Sequence, residues 1–187
     1  MDSRPPIVIV LASGRGERFV ASGGKGSKLR ALLAGKPVME HTIAAARASG
    51  LPVHVEDAGH AGMGDSIAAA VRATPDANGW LVLPADLPLV QPASLRAVAQ
   101  ALQGASIVVP VRDGTRGHPV GFGREHGPAL QALSGAEGAA ALVRAAQPLR
   151  LELADEGIVT DVDTVEDLAR AERLFQRRRR RQGEEGS

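Results

Sequence analysis

The sequence predicts a three-layer α/β/α domain in which a mostly parallel central sheet carries helices on both faces. Short runs of β-branched and aliphatic residues alternate with longer helical segments along the chain, which is the pattern of a parallel sheet. Apolar residues make up 44% of the chain and aromatic residues only 2%, so the core must be aliphatic. The length of 187 residues fits one domain, which we expect to span residues 1–175.

In the first half of the chain, predicted strands alternate with predicted helices. The β-branched run at the start predicts a buried parallel strand, and Pro37 and Gly50 frame a helix. Asp65 is expected to cap the next helix. The predicted elements are, in order, strand 7–11, an irregular loop at 12–27, helix 39–48, strand 53–55, helix 66–73 and strand 80–83.

The second half of the chain continues the alternation. The predicted elements are helix 93–102, strand 106–111, a short extended piece and two helices broken near Gly135 within 117–147, strand 149–153 and helix 165–175. Thr164 and Asp167 have the spacing of a capping box at the start of the last helix. Residues 176–187 contain a run of five arginines and are otherwise polar, which predicts a disordered tail in solution.

Composition excludes several classes of protein. The chain has no cysteine, which rules out disulfides, a thiolate nucleophile and a Cys-ligated zinc site. A net charge of +1 and the scarcity of aromatic residues argue against a nucleic-acid partner. A membrane-spanning helix needs about 20 consecutive apolar residues, which this sequence lacks. We therefore expect a soluble cytoplasmic protein with neither a membrane nor a nucleic-acid partner.

The glycine-rich loop after the first strand has the composition of a phosphate-binding loop. Gly14 and Gly16 fit neither the spacing of a P-loop nor a dinucleotide fingerprint, whose third glycine is replaced by Phe19. A loop of this length inside a compact domain usually has a function, and its bare N–H groups can surround a phosphate chain. Four cations could neutralise that chain: Arg15, Arg18, Lys25 and Lys28.

Carboxylates follow the strands that should end beside this loop. Asp86 comes just after the strand at 80–83, and the carboxyl ends of parallel strands share one edge of a sheet. Asp161 and Asp163 lie on one side of an extended segment, because side chains alternate with period two. Mg²⁺ prefers such oxygen ligands. The sequence thus predicts a metal-triphosphate site with Asp86 and Asp163 as metal ligands.

Several motifs, taken in chain order, resemble the signature of nucleotidyltransferases with a glycosyltransferase-A-like fold, and in particular the molybdenum cofactor cytidylyltransferases. The resemblance runs from Val8 to about Leu174 and implies a Rossmann-like fold of the nucleotide-diphospho-sugar transferase type. The motifs lie at residues 11–18, 28–29, 35–38, 62–67, 84–90, 117–124 and 161–168.

The resemblance also implies roles for individual residues. Arg18, Lys28 and Asp86 would be catalytic, with Asp163 as the second magnesium ligand. Lys25 is a rival to Lys28, although Leu29 follows Lys28 as the family pattern requires. The residues implied to contact the nucleotide are Leu11, Ala12, Ser13, Gly14, Gly16, Arg18, Lys28, Gly62, Met63 and Ser66. The residues implied to lie on the acceptor side are His118 and Pro119.

The implied reaction is magnesium-dependent transfer of CMP from CTP to the terminal phosphate of molybdopterin or molybdenum cofactor, with release of pyrophosphate. Ser13-Gly14 stands where guanylyltransferases have two glycines, and Gly62-Met-Gly64 stands where they have Gly-Pro-Leu. Both differences favour CTP, although Ser13 also replaces the alanine common in cytidylyltransferases. The alternatives are a guanylyltransferase, a different phosphorylated acceptor, or a nucleotide-binding protein without turnover. A molybdoenzyme or its chaperone fits as protein partner, and a monomer or weak oligomer is expected.

Overall fold

A computed structural model describes residues 4–14 and 16–185 of the chain. Most of its strands belong to one central sheet, and β2 pairs with β3 in a separate hairpin. The strands are β1 (Ile7–Leu11), β2 (Leu32–Leu33), β3 (Lys36–Pro37), β4 (Val53–Glu56), β5 (Gly79–Pro84), β6 (Ile107–Arg112), β7 (Thr115–Arg116), β8 (Val120–Gly123) and β9 (Leu149–Glu152).

Helices connect most of these strands. In the described part of the chain, none of them is long and apolar enough to cross a membrane. The α-helices are α1 (Glu17–Ala21), α2 (Val38–Ala48), α3 (Met63–Ala73), α4 (Pro92–Ala101), α5 (Gly127–Gln131), α6 (Ala140–Ala145) and α7 (Val165–Glu185).

The central sheet is mixed but mostly parallel, as predicted. Its strand order is β4-β1-β5-β8-β6-β7, and β9 also pairs with β6. The β1 strand is parallel to both β4 and β5, and β9 is parallel to β6. Two strands are antiparallel to their neighbours: β8 runs antiparallel between β5 and β6, and β7 pairs antiparallel with β6. The chain reverses after β6 through Asp113 and Gly114, whose φ angles of 48° and 80° are typical of a tight hairpin turn.

Side chains on alternate positions of each central strand bury two separate apolar faces. In β1, Val8 and Val10 face the side covered by α2 and α4. Ile9 and Leu11 face the opposite side, which α3, α5 and α6 cover. The predicted three-layer α/β/α architecture and its aliphatic core are therefore confirmed.

Two local predictions in the first half of the chain are wrong. The loop at 12–27 contains the short helix α1, because Phe19 is only 3% exposed and packs with Val162 and Leu174. Asp65 does not cap α3, which begins two residues earlier at Met63. The Asp65 carboxylate instead accepts a hydrogen bond from the Gly135 N–H at 3.1 Å.

The predicted end of the last helix at Phe175 is also wrong, because α7 continues to Glu185. Of the tail at 176–187 that was expected to be disordered, residues 176–185 belong to this helix and residues 186–187 lie outside the described residues. Arginine is a good helix former, so the arginine run favours continuation of the helix. Arg178 also ties this part to the domain, since its guanidinium donates to the Leu89 carbonyl and to the Asp155 carboxylate.

The buried carboxylate of Asp155 joins this helix to the rest of the domain. We expect Asp155→Ala to lower the free energy of unfolding by about 2–4 kcal/mol. Asp155 is only 6% exposed, so the substitution would leave four hydrogen-bond donors without their partner in a buried site. Urea denaturation of this variant and of Asp76→Ala, an exposed carboxylate, measures the difference. Equal stability of the two variants would contradict the prediction. The four donors are Gln91 N, Ser94 Oγ, Gly157 N and a guanidinium nitrogen of Arg178.

The predicted capping box at the start of α7 is confirmed, and it makes stability depend on pH. Asp167 accepts hydrogen bonds from the N–H and hydroxyl of Thr164 at 2.8 and 2.7 Å, and its own N–H donates back to the hydroxyl. Partial burial would raise the pKa of Asp167, but these hydrogen bonds prevail and lower it below 3.8. The cap therefore stabilises the fold above pH 3.8 and loses this contribution as the pH falls further.

This effect can be isolated with Asp167→Asn. We expect the variant to be less stable than the wild type by about 1 kcal/mol at neutral pH. The difference in stability between the two proteins should disappear in acid, once Asp167 of the wild type is protonated. Melting temperatures of both proteins between pH 7 and the acid limit of folding measure this difference. A difference that stays constant over that range would rule out this role of the carboxylate.

Candidate active site

The site lies at the edge of the sheet where β1 and β5 end. Leu11 and Pro84 are opposite each other in the register, and the Ala85 N–H donates to the Leu11 carbonyl at 2.9 Å. Asp86 follows immediately. The Val162 N–H donates to the Asp86 carbonyl at 2.9 Å, so the segment before α7 passes alongside and brings Asp163 to the same edge.

Lys28 lies between these two carboxylates. Its Nζ is 2.6 Å from Asp86 Oδ2 and 2.5 Å from Asp163 Oδ1. All three side chains are largely buried, with 11%, 16% and 15% of each exposed. Burial acts to lower the pKa of the Lys28 ammonium, but the charges and hydrogen bonds of Asp86 and Asp163 outweigh it and raise that pKa. Lys28 is therefore a positively charged group at neutral pH.

Arg18 approaches the same cluster from α1. A guanidinium nitrogen of Arg18 lies 2.7 Å from Asp163 Oδ2, while 77% of the side chain is exposed. Ion pairs this exposed are weak, so Arg18 can leave Asp163 for an incoming anion at little cost. Phe19 anchors the helix beneath it. The structure thus brings together four predicted site residues, Arg18, Lys28, Asp86 and Asp163.

The other members of the predicted basic loop lie elsewhere. Lys25 is exposed, and Arg15 falls outside the described residues. Gly16 has a φ of 66° and lies so close to Lys28 that a Cβ atom would be 3.3 Å from the Lys28 backbone nitrogen. Both the positive φ and the short distance require glycine at this position, and they place the loop against the lysine.

Asp161, the third carboxylate near the site, is exposed beside the cluster of Lys28, Asp86 and Asp163. Desolvation and the charges of Asp163 and Asp86 raise the pKa of Asp161.

A cleft of about 260 Å³ opens beside Lys28 and Asp86. Most of the predicted nucleotide-binding residues line it: Leu11, Ser13, Gly14, Lys28, Gly62, Met63 and Ser66. The remaining three, Ala12, Gly16 and Arg18, do not line the cleft. Ala12 is held at the sheet edge by a hydrogen bond from its N–H to the Glu56 carbonyl, Gly16 directly precedes α1, and Arg18 lies within that helix.

The glycines of the Gly62-Met-Gly64 motif have a packing role that the sequence did not reveal. A Cβ atom on Gly62 would lie 2.3 Å from the Gly135 carbonyl oxygen, and one on Gly64 would lie 2.7 Å from that of Ser134. The Gly64 N–H donates to the Gly135 carbonyl at 2.8 Å. The start of α3 is therefore fixed against the loop at 134–135, which leaves Met63 and Ser66 to face the cleft.

A second group at the cleft was missed at the sequence level. His60 lines the cleft, and its Nε2 is 3.2 Å from Oε1 of Glu56, which is 8% exposed. Burial would raise the pKa of Glu56, but hydrogen bonds from the Ala58 N–H and from His54 and His60 lower it. The only available signal was two histidines around an acid at the end of a strand. Among the described residues, no group of three or more His, Asp or Glu could hold a metal ion.

His118 lies in a separate pocket of about 330 Å³ next to the cleft. Its floor is apolar, with Val82 and Phe122 among its lining residues, and Met63 lines both this pocket and the cleft. Burial lowers the pKa of His118 despite the charge of Asp86 and a hydrogen bond with the Val82 backbone, so the imidazole is neutral at pH 7. Its Nδ1 is buried and has no hydrogen-bond partner within the described structure. Pro119, joined to it by a cis peptide bond, is buried.

Polar side chains also line this second pocket. They are Arg116, Glu137 and Arg144. Glu137 and Arg144 form a salt bridge at 3.3 Å in which both side chains are mostly exposed. Because such an exposed pair is weakly held, each partner is available to a ligand that enters the pocket.

The chain is similar to one protein family and to several solved structures. Residues 8–151 match the model of the MobA-like NTP transferase domain. The comparison with curated proteins gave no match. Among solved structures, Rv0371c from Mycobacterium tuberculosis H37Rv is 26% identical with a TM-score of 0.75, covering 91% of this chain and 98% of that one.

Two further solved structures have the same fold. Rv0371c in complex with manganese is 25% identical with a TM-score of 0.69, covering 89% of this chain and 97% of that one. A nucleotidyl transferase from Methanothermobacter thermautotroptrophicus is 20% identical with a TM-score of 0.74, covering 92% and 98% of the two chains. Since the family model spans more than half of the chain, this protein belongs to the MobA-like NTP transferase domain family and is a nucleotidyltransferase.

Proposed function

We propose that the protein transfers CMP from CTP to the terminal phosphate of molybdopterin or molybdenum cofactor and releases pyrophosphate. The observation that carries this proposal is the Lys28 ammonium, held between Asp86 and Asp163 beside a cleft that the glycine-rich loop borders. A cation and a carboxylate pair at this position suit phosphate chemistry, where most of the barrier is electrostatic.

Asp86 and Asp163 fit a divalent cation, which we propose to be Mg²⁺. Both already contact one positively charged nitrogen, so this position favours positive charge. Mg²⁺ is commonly held by one or two carboxylates and takes its other ligands from substrate phosphates and water, which agrees with a pair rather than a full protein cage. The manganese in the Rv0371c structure adds support. When bound, the cation would neutralise phosphate oxygens and the charge that develops on the leaving group.

The chain's own residues would act by charge and position. With Asp86 and Asp163 holding a divalent cation, the Lys28 ammonium would be free to contact the triphosphate. Arg18, whose mostly exposed side chain forms an ion pair with Asp163, would contact the same phosphates from α1. The nucleophile is a phosphate oxygen of the acceptor, which is anionic already and needs no strong base. These groups bring two negative reactants together and stabilise the pentacoordinate transition state.

The second pocket supports a two-substrate reaction. It adjoins the cleft through the shared side chain of Met63, and its imidazole at His118 is close enough to Asp86 to feel the charge of that carboxylate. We propose that the acceptor binds in this pocket, which His118 lines and which adjoins the buried Pro119. Arg116 and Arg144 at its surface suit an anionic molecule, and its apolar floor suits the face of a flat ring.

Pyrophosphate release tests the proposal. The purified protein is incubated with Mg²⁺ and each of CTP, GTP, ATP and UTP, with and without molybdopterin. We expect release only with CTP and acceptor together. Release with GTP would favour a guanylyltransferase, and release with CTP and a different phosphorylated acceptor would replace the pterin. Binding of a triphosphate without release under any condition would favour a nucleotide-binding protein.

A further inference from the structure

The second half of α7 carries an array of arginines that the proposed reaction does not use. Residues 170–181 include seven arginines and one glutamate, although the whole chain has a net charge of only +1. The remainder of the chain is therefore net acidic, and the excess positive charge is concentrated on this helix. None of these arginines lines the cleft beside Lys28.

The array is also distant from the Lys28 cluster. Asp163 lies two residues before the start of α7 at Val165, and Arg177 lies twelve residues after that start. At about 1.5 Å per residue, Arg177 is roughly 18 Å further along the helix axis than Val165. The arginine array therefore forms a surface separate from the proposed nucleotide site.

The arginines line two adjoining grooves on the protein surface, of about 270 and 470 Å³. The smaller groove lies beside the end of β6, and Arg177 lines both grooves. We call the arginines of the two grooves together the arginine face. Those of the smaller groove are Arg112, Arg177, Arg178 and Arg181, and those of the larger groove are Arg170, Arg173, Arg177 and Arg180.

Much of the arginine face lacks negative charge to balance it. Arg112 and Arg178 each form an ion pair with an aspartate. Arg177, Arg180 and Arg181 are exposed, and within the described part of the chain they form no ion pair or hydrogen bond. Like charges three or four positions apart on a helix repel each other, so Arg177 is unfavourably placed next to both Arg180 and Arg181. Bound negative charge would relieve this repulsion.

We propose that the arginine face binds an acidic segment of a protein partner. The guanidinium group is a planar fork of N–H donors that matches a carboxylate. Residues 170–181 span roughly 17 Å of helix, the length of about five residues of an extended peptide. The grooves share no lining residue with the cleft beside Lys28, so this binding does not depend on which nucleotide or acceptor the cleft holds.

The surroundings of the arginine face favour a polypeptide over a nucleic acid. Glu156 lines both grooves and Glu172 lines the larger one. A polypeptide can place N–H donors or a lysine against these carboxylates, whereas a phosphate backbone brings them only negative charge. Among the described residues, no aromatic side chain lines either groove, so bases would have no surface on which to stack. The net acidic remainder of the chain would also repel a long polyanion.

Fluorescence anisotropy on the full chain tests the proposal with two labelled probes, a peptide of eight glutamates and a single-stranded DNA of eight nucleotides. At low ionic strength we expect the peptide to bind, and the DNA to bind at least about fivefold more weakly. The double variant Arg177→Gln/Arg181→Gln should bind the peptide about five- to tenfold more weakly than the wild type, since each exposed ion pair contributes up to about fivefold.

The double variant Arg47→Gln/Arg96→Gln is the matched control. Its two arginines are exposed on α2 and α4 and line neither groove, so the net charge changes equally. We expect its peptide affinity to stay within about twofold of the wild type. Glutamine is as good a helix former as arginine, and Arg177 and Arg181 have no ion pair to lose in the described structure, so both variants should remain folded.

Four results would overturn the proposal. The first is absence of peptide binding at low ionic strength. The second is equal weakening by both double variants, which would show attraction to net charge alone. The third is DNA binding as tight as peptide binding and lost in Arg177→Gln/Arg181→Gln, which would make the partner a nucleic acid. The fourth is self-association of the wild type in analytical ultracentrifugation that the same two substitutions abolish, which would make the partner a second copy of this chain.

Discussion

Asp86→Asn is expected to lower turnover by about 100- to 1,000-fold while the protein remains folded. Asparagine keeps the size of the side chain but removes the charge that faces Lys28 at 2.6 Å and, in the proposed mechanism, the divalent cation. The Asp86 backbone should stay in place, because its carbonyl accepts from Val162 and does not depend on the carboxylate. Pyrophosphate release under saturating CTP and acceptor measures the loss.

Asp161→Asn is the matched control for this variant. Asp161 is an exposed carboxylate whose pKa responds to the charges of Asp163 and Asp86, so it lies in the same electrostatic environment without contacting Lys28 in the described structure. We expect its turnover to stay within a fewfold of the wild type. Circular dichroism and thermal melting establish that both variants are folded. A folded Asp86→Asn protein with wild-type turnover would remove this carboxylate from the mechanism.

Lys28→Met should have an effect of similar size on turnover, about 100-fold or more, and an opposite effect on metal binding. The long methionine side chain fills the space but removes the ammonium from between Asp86 and Asp163. With only the exposed guanidinium of Arg18 left beside them, the two carboxylates should attract a divalent cation more strongly. We therefore expect Mn²⁺ to bind the nucleotide-free variant at least about tenfold more tightly than the wild type, as titration followed by electron paramagnetic resonance would show.

Lys25→Met distinguishes the two lysines that the sequence offered for this role. Lys25 is exposed, so its replacement should change neither turnover nor Mn²⁺ affinity by more than a fewfold. The reverse pattern, with activity lost in Lys25→Met and retained in Lys28→Met, would contradict the assignment. Unchanged Mn²⁺ affinity in a folded Lys28→Met protein would show that the ammonium and the cation do not compete for one position.

The regular part of the fold could be predicted from periodicity because burial on two faces leaves a clear pattern. The β1 strand is an unbroken apolar run with both of its faces covered. The antiparallel direction of β8 could not be predicted in this way, because the hydrophobic pattern of a short strand is the same for either direction. Its position in the sheet depends on partners that are distant in the chain. The continuation of α7 past Phe175 depends likewise on tertiary contacts, those of Arg178.

The candidate site could be predicted in part for similar reasons. Asp86 was identifiable because a carboxylate that directly follows a central strand must lie at the ligand edge of the sheet. The choice of Lys28 over Lys25 followed only from resemblance, because the path of the loop depends on the positive φ of Gly16 and on the burial of Phe19. The contact between Glu56 and His60 depends on the geometry of a loop after β4, which composition does not encode.

The most direct test of nucleotidyl transfer at the Lys28 cluster follows the phosphates of CTP. CTP labelled at the α-phosphate and CTP labelled at the γ-phosphate are incubated in parallel with Mg²⁺, molybdopterin and the protein. We predict that the α-label appears in the pterin product and the γ-label in pyrophosphate, and that both transfers fall together in Asp86→Asn and Lys28→Met. Transfer of the γ-label to the acceptor, or release of the γ-label as inorganic phosphate, would contradict nucleotidyl transfer.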